Sequence, residues 1–244
     1  MPRPATVSPD RILAIGALEF ASRGYAGARV DRIARRARVN KAMLYYHFGS
    51  KQGLYRALLR QVFSKAAGRL QVIAAGDAPA EEKLHAVIAG MAAFVGEHAF
   101  FPAIMLREVS EGGAHLDRET LAALASVPRA VGAIVQQGID KRSLRPLHPL
   151  AAYFTMFAPI VMFMAGAPIR RELAASKLVS IAALTPDLFI RELQESMRRA
   201  LTTAPGIPRT AFRTPRLAPR AHPAPRTSPR APRTSHPQPR TRKP

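Results

Sequence analysis

Residues 28–51, ARVDRIARRARVNKAMLYYHFGSK, decide how the rest of the chain is read. Val30, Ile33 and Ala34 recur on one face of a short helix from about Arg29 to Ala37. Val39-Asn40 breaks it, and Asn40 is of a type that caps a helix N-terminus. A further helix then runs to about Phe48, where Gly49-Ser50 ends it. Ile33, Ala34, Val39 and Leu44 fall where these two helices must pack. That leaves Asn40, Lys41, Ala42, Tyr45, Tyr46 and His47 mostly outward. A two-turn helix, a tight break and a short helix with a polar, aromatic outer face make a unit that reads DNA through its second helix.

Outside this stretch the chain also reads as helix. Ser8-Pro9-Asp10 supplies a capping hydroxyl, a proline for the first helical position and an acid facing the helix dipole. Ile12, Leu13, Ile15, Gly16 and Phe20 follow at helical spacing, and Gly24 closes the run. Ser50 can cap a long helix carrying Leu54, Leu58, Leu59 and Val62. Asp77-Ala78-Pro79 opens the next, with Leu84, Val87, Ile88, Met91 and Val95. Phe101-Pro102, Glu111-Gly112-Gly113, Gly138-Ile139-Asp140, Pro146 to Pro149, Pro168 and Thr185-Pro186-Asp187 mark further helix ends. A last helix is expected from about Pro186 to Thr203. No alternating strand pattern is found, so the expected fold is all-α.

Charge sharpens the functional reading. The net charge is +21 over 244 residues, with basic ends and a nearly neutral middle. Residues 1–60 hold 12 Lys/Arg against 3 acids, and residues 204–244 hold 10 against none. Such asymmetry points to a polyanion, nucleic acid or an anionic membrane. The last segment also carries 11 of the 22 prolines, and it reads as a disordered Pro/Arg-rich tail. With no cysteine, disulfides, thiolate metal sites and cysteine nucleophiles are excluded, and a reducing cytoplasm is the natural compartment. The seven histidines look scattered, without metal-ligand spacing or a carboxylate partner at a fixed offset, so no metal is expected. No nucleophile–base pair or phosphate loop is visible, and neither an enzyme nor a bound cofactor is expected.

The match of Ile12-Leu13, Phe20, Gly24-Tyr25, Ile33-Ala34, Val39, Leu44-Tyr45-Tyr46-His47-Phe48 and Lys51 resembles the tetracycline-repressor (TetR) family over about Arg11 to Leu59. The resemblance implies a homodimeric repressor, released from a near-palindromic double-stranded DNA operator by a small-molecule effector. It implies that Lys41, Ala42 and Tyr46 meet base edges and the groove wall, and that Tyr45, His47 and Lys51 meet the phosphate backbone. Arg29 fits a phosphate clamp at a helix start. Arg38 stands where the family usually has glycine in the turn. If left-handed, it costs on the order of 1 kcal/mol relative to glycine, and its charge can reach a phosphate in return.

The expected domains are 1–50 for DNA binding, 51–203 for effector binding and dimerisation, and 204–244 for the tail, in a cytoplasmic, nucleoid-associated protein. Met91, Phe94, Phe101, Met105, Phe154 and Phe157 are the candidate effector-pocket residues, with plain core as the competing reading. From Pro146 to Ile169 no Lys, Arg, Asp or Glu occurs. Length would admit a membrane span, but the prolines and polar residues inside favour a buried or interface helix. The helices at about 148–166 and 186–203 are expected to pair across a two-fold axis, with Leu193 and Met197 as positions to disrupt it. A sequence-independent nucleoid-binding protein remains the main rival reading.

Overall fold

The computed structural model describes residues 8–176 and 184–202. All belong to one compact unit; residues 203–244, and with them the tail expected there, lie outside the described residues. Among the described residues there are ten helices and no strand beyond one isolated bridge, Leu144 to Thr202. The helices are α1 (Pro9–Gly27), α2 (Val30–Ala37), α3 (Lys41–Phe48), α4 (Lys51–Ala75), α5 (Ala80–Glu97), α6 (Phe101–Ser110), α7 (Arg118–Asp140), α8 (Pro149–Ala165), α9 (Ala167–Ala175) and α10 (Pro186–Leu201).

The punctuation residues act largely as their chemistry dictates. Asn40 caps α3 by accepting from the Ala42 amide, and Ser50 caps α4 by accepting from Gly53. Thr185 does the same for α10. Ser8 occupies the N-cap of α1, but its hydroxyl makes no cap and only its carbonyl accepts, from Arg11. Gly24 breaks α1 with φ 69, and a final turn continues to Gly27 beyond it. Gly112 and Gly113, both at positive φ, turn the chain after α6.

α4 joins the two halves. It packs against α1 and α3 and also against α5 and α7, burying Leu54, Leu58, Leu59, Phe63 and Leu70 along its length. One continuous core therefore crosses residue 50 rather than stopping there. The apolar stretch from Pro146 resolves into α8, which is apolar on every side. Tyr153, Met156, Ile160 and Phe163 face the core, while Leu150, Phe154 and Met162 stand exposed at four- and eight-residue spacing on the other side. No single helix among the described residues is long and apolar enough to cross a membrane, although two bent helix pairs are by length and composition.

Candidate nucleic-acid interface

The interface is built by burying one side of each short helix. Ile33, Ala34 and Leu44 are fully buried and Val39 packs against them, which locks α2 to α3. α3 contributes no other buried residue, so Lys41, Ala42, Tyr45 and Tyr46 project from the unit. Tyr46 is 83% exposed and Tyr45 is 41% exposed. Arg38 closes the turn in the left-handed region, φ 57 and ψ 43, with its side chain exposed. Its amide donates to Arg35 and the Val39 amide donates to Ala34, ending α2 abruptly. The glycine departure at this position is thus absorbed as local strain.

Electrostatics divide the basic residues into two groups. Arg35, Arg36 and Arg38 are exposed beside α3. Arg32 turns inward instead: its Nε donates to Glu19 at 2.7 Å, and Glu19 also accepts from the Arg29 amide at 3.3 Å. Glu19 is buried, so this pair fixes α2 on α1 and Arg32 is a brace rather than part of the open basic face. Lys41 Nζ lies 2.8 Å from Asp31 and 5.9 Å from the Tyr45 ring. The hydrogen bond from Lys41 holds the Asp31 carboxyl below its ordinary range, and the same bond raises Lys41.

The remaining predicted contacts sit less freely. Lys51 donates to the Ala26 carbonyl at 3.1 Å and lies over the Tyr25 ring; burial lowers its pKa. It therefore ties the start of α4 to the end of α1. His47 is half-buried, with Nε2 enclosed and unpartnered and Nδ1 its other polar atom. Asn40 spends its carbonyl oxygen on the α3 cap. The junction that aims α3 is tight: a Cβ at Gly53 would overlap the Phe48 carbonyl oxygen.

The bacterial regulatory protein family named tetR matches residues 12–58, which spans α1 to the first part of α4. Over these residues the chain is similar to the tetR family. A relative, the HTH-type transcriptional repressor NicS of Pseudomonas putida, is 28% identical over 161 residues, 63% of this chain and 74% of NicS. The Streptomyces coelicolor repressor SCO4008 is 45% identical over 51 residues, which are 21% of this chain and 27% of SCO4008. The structure of Bacillus subtilis FadR in complex with stearoyl-CoA superimposes with a TM-score of 0.62 at 18% identity, covering 78% of this chain and 97% of FadR. That likeness shows a shared fold running through the helices beyond α4.

The six predicted pocket residues do not gather around one roomy cavity. Met91 and Phe157 line a void of only about 10 Å3, while Phe94 and Phe101 are packed in the core. Met105 is half-buried, and Phe154 is 59% exposed on the outer side of α8. Larger cavities lie elsewhere. One of about 630 Å3 opens between α5, α6 and the α8–α9 bend, lined by Val95, Pro102, Leu106, Arg107, Met164 and Arg171 among others. Another of about 400 Å3 lies between α5 and α10.

Two adjacent residues of α6 connect this region to the DNA-binding helices. The Arg107 guanidinium donates to the Phe20 and Ala21 carbonyls of α1, at 3.0 and 2.7 Å. Glu108 accepts from the Tyr55 hydroxyl of α4 at 2.7 Å and lies 2.8 Å from His115 Nδ1. The expectation that no histidine has a carboxylate partner is overturned here, because Glu111 and His115 are also in contact, four residues apart. Nothing adjacent to Arg107 and Glu108 in the sequence marks these distant partners. The Glu-x2-Glu-x3-His spacing was the available signal.

Proposed function

We propose that this chain is a dimeric, DNA-binding transcription repressor whose α3 enters the major groove of a near-palindromic operator. The observation that carries the reading is the exposed face of α3, where Lys41, Ala42, Tyr45 and Tyr46 project together beside Arg35, Arg36 and Arg38. Lys41 and Tyr46 read base edges and the groove wall, and Tyr45, Arg29 and Arg38 take phosphates. Lys51 and His47 act one step back, holding the frame. Two copies place two α3 helices about 34 Å apart on successive groove faces. NicS and SCO4008 are both described as repressors, which supports a regulatory rather than an enzymatic role, in the cytoplasm where the nucleoid lies.

Release follows from a small molecule in the 630 Å3 cavity. Its apolar lining and its two arginines suit an amphipathic anion, and FadR, of similar fold, is described with stearoyl-CoA. An anion that draws Arg107 towards the cavity would compete with its two bonds to α1 and so re-aim the DNA-binding helices. Coupling needs only that the effector prefer one arrangement over the other. The experiment is selection of bound DNA from a random pool by the full chain. An enriched inverted repeat is expected; no enrichment despite tight binding would favour sequence-independent packaging of DNA instead.

A further inference from the structure

Glu108, Glu111 and His115 form a compact side-chain cluster at the seam between α6 and α4, and the regulatory reading does not use it. Their ligand-type atoms all lie within 4.8 Å of one another. The Gly112-Gly113 turn carries the chain back on itself, with the Gly113 amide bonded to the Glu108 carbonyl, so His115 returns over its own helix. His115 is then held from several sides. Its ring lies 3.9 Å from that of Tyr25 and 5.6 Å from that of Tyr55, and Arg56 Nε donates to its carbonyl at 2.9 Å.

The arrangement leaves one unmet requirement. Glu108 has only 4% of its side chain exposed, and its Oε1 serves both Tyr55 and His115 while Oε2 is enclosed with no partner. A buried carboxylate with an orphaned oxygen is costly to keep unless something takes it up. We propose that these three residues bind a divalent first-row transition-metal ion of the zinc type. A histidine nitrogen with two carboxylates suits such ions. Ligands about 2.0–2.2 Å from a tetrahedral ion sit roughly 3.3–3.6 Å apart. His115 Nδ1 and Glu111 Oε2 are already 3.3 Å apart. The Glu108 pair, at 2.8 Å, is short of that by roughly half an ångström, which a small turn of the carboxylate supplies by bringing Oε2 to the ion. Glu111 is 44% exposed, so an ion has a way in from solvent. Tyr55, donating to a ligating carboxylate, is a positioning residue that links the ion to α4.

This inference does not rest on the regulatory reading, since metal titration involves no DNA. The full chain is stripped with a chelator, desalted and titrated with Zn2+ against a chromophoric competitor, and separately with Co2+ to follow its visible absorption. One ion per chain at micromolar affinity or tighter is expected, with cobalt bands of a low-coordinate N/O site. His115→Ala should abolish both signals. Glu111→Gln, at a half-exposed position that leaves the core intact, should weaken binding, and Tyr55→Phe should weaken it about 10- to 100-fold. Absence of stoichiometric binding overturns the assignment, as does binding that Glu111→Gln and His115→Ala both leave unchanged.

Discussion

Replacing Phe154 with Ala tests the proposed dimer at an exposed apolar residue of α8. Phe154 is 59% exposed between Leu150 and Met162, on a face of α8 that the core does not use. Burying a whole phenylalanine side chain contributes about 1.5–3 kcal/mol, so the exposed share is worth roughly 1–2 kcal/mol. Two-fold symmetry counts it twice, giving roughly 2–4 kcal/mol per dimer, or about a 30- to 1,000-fold rise in the dissociation constant. The monomer should keep its helix content, because this ring touches little of its own core beyond Tyr153. Sedimentation equilibrium from nanomolar to micromolar protein would measure the shift, and operator affinity should fall with it. A wild-type chain that is monomeric at micromolar concentration refutes the reasoning, as does a variant that dimerises as tightly as wild type. Met197 is no longer suitable for this test. It is buried in the monomer against α5, and a charge there would unfold the chain before it separated two chains.

Further expectations concern the DNA-binding half and the tail. Lys41→Ala should lower affinity for the selected operator about tenfold or more and affinity for random DNA much less, measured by fluorescence anisotropy. Equal losses would make Lys41 a phosphate contact. Asp31→Asn should raise affinity for any DNA slightly, because it frees Lys41 and removes a negative charge beside the interface. Gly53→Ala should cost about 1–3 kcal/mol of stability through overlap with the Phe48 carbonyl, seen as a lower denaturant midpoint; unchanged stability would show that the junction can relax. Truncation after Thr203 removes ten basic residues and no acid, and should flatten the slope of log affinity against log salt on random duplex DNA while sparing operator preference.

What the sequence made legible was what depends on near neighbours. The Asn40 and Ser50 caps, the Gly24 break, and the buried faces of α1, α2 and α4 follow from residue type and spacing alone, because the partners lie within a turn or two. The exposed face of α3 was legible for the same reason: Leu44 is the inward residue of a two-turn helix, so Lys41, Tyr45 and Tyr46 must point elsewhere. The roles of individual charges were not. Arg32, Arg35 and Arg36 look alike in sequence, yet Glu19, thirteen residues before Arg32, withdraws that one from the surface. Lys51 is similarly claimed by Ala26, twenty-five residues away. The apolar faces of α8 were indistinguishable because α8 is apolar all round, and only packing shows that Phe154 lies outside while Phe157 lies inside.

The connection between the two halves was the least legible feature, and α6 shows why. Arg107 and Glu108 are neighbours in a short helix, and their partners in the other half lie far back in the sequence. One reaches eighty-six residues back to the end of α1, the other fifty-three back to α4. Each bond is buried or partly buried, so neither is weakened by water as a surface pair would be. A shift of α6 cannot leave both bonds intact without carrying α1 and α4 along. The cavity that Arg107 lines and the cluster that Glu108 anchors are therefore bonded to the same two helices, and α1 and α4 are the ones that pack against α2 and α3. On the proposed reading, an occupant of either position would re-aim α3 by way of one short helix, with no long relay through the core.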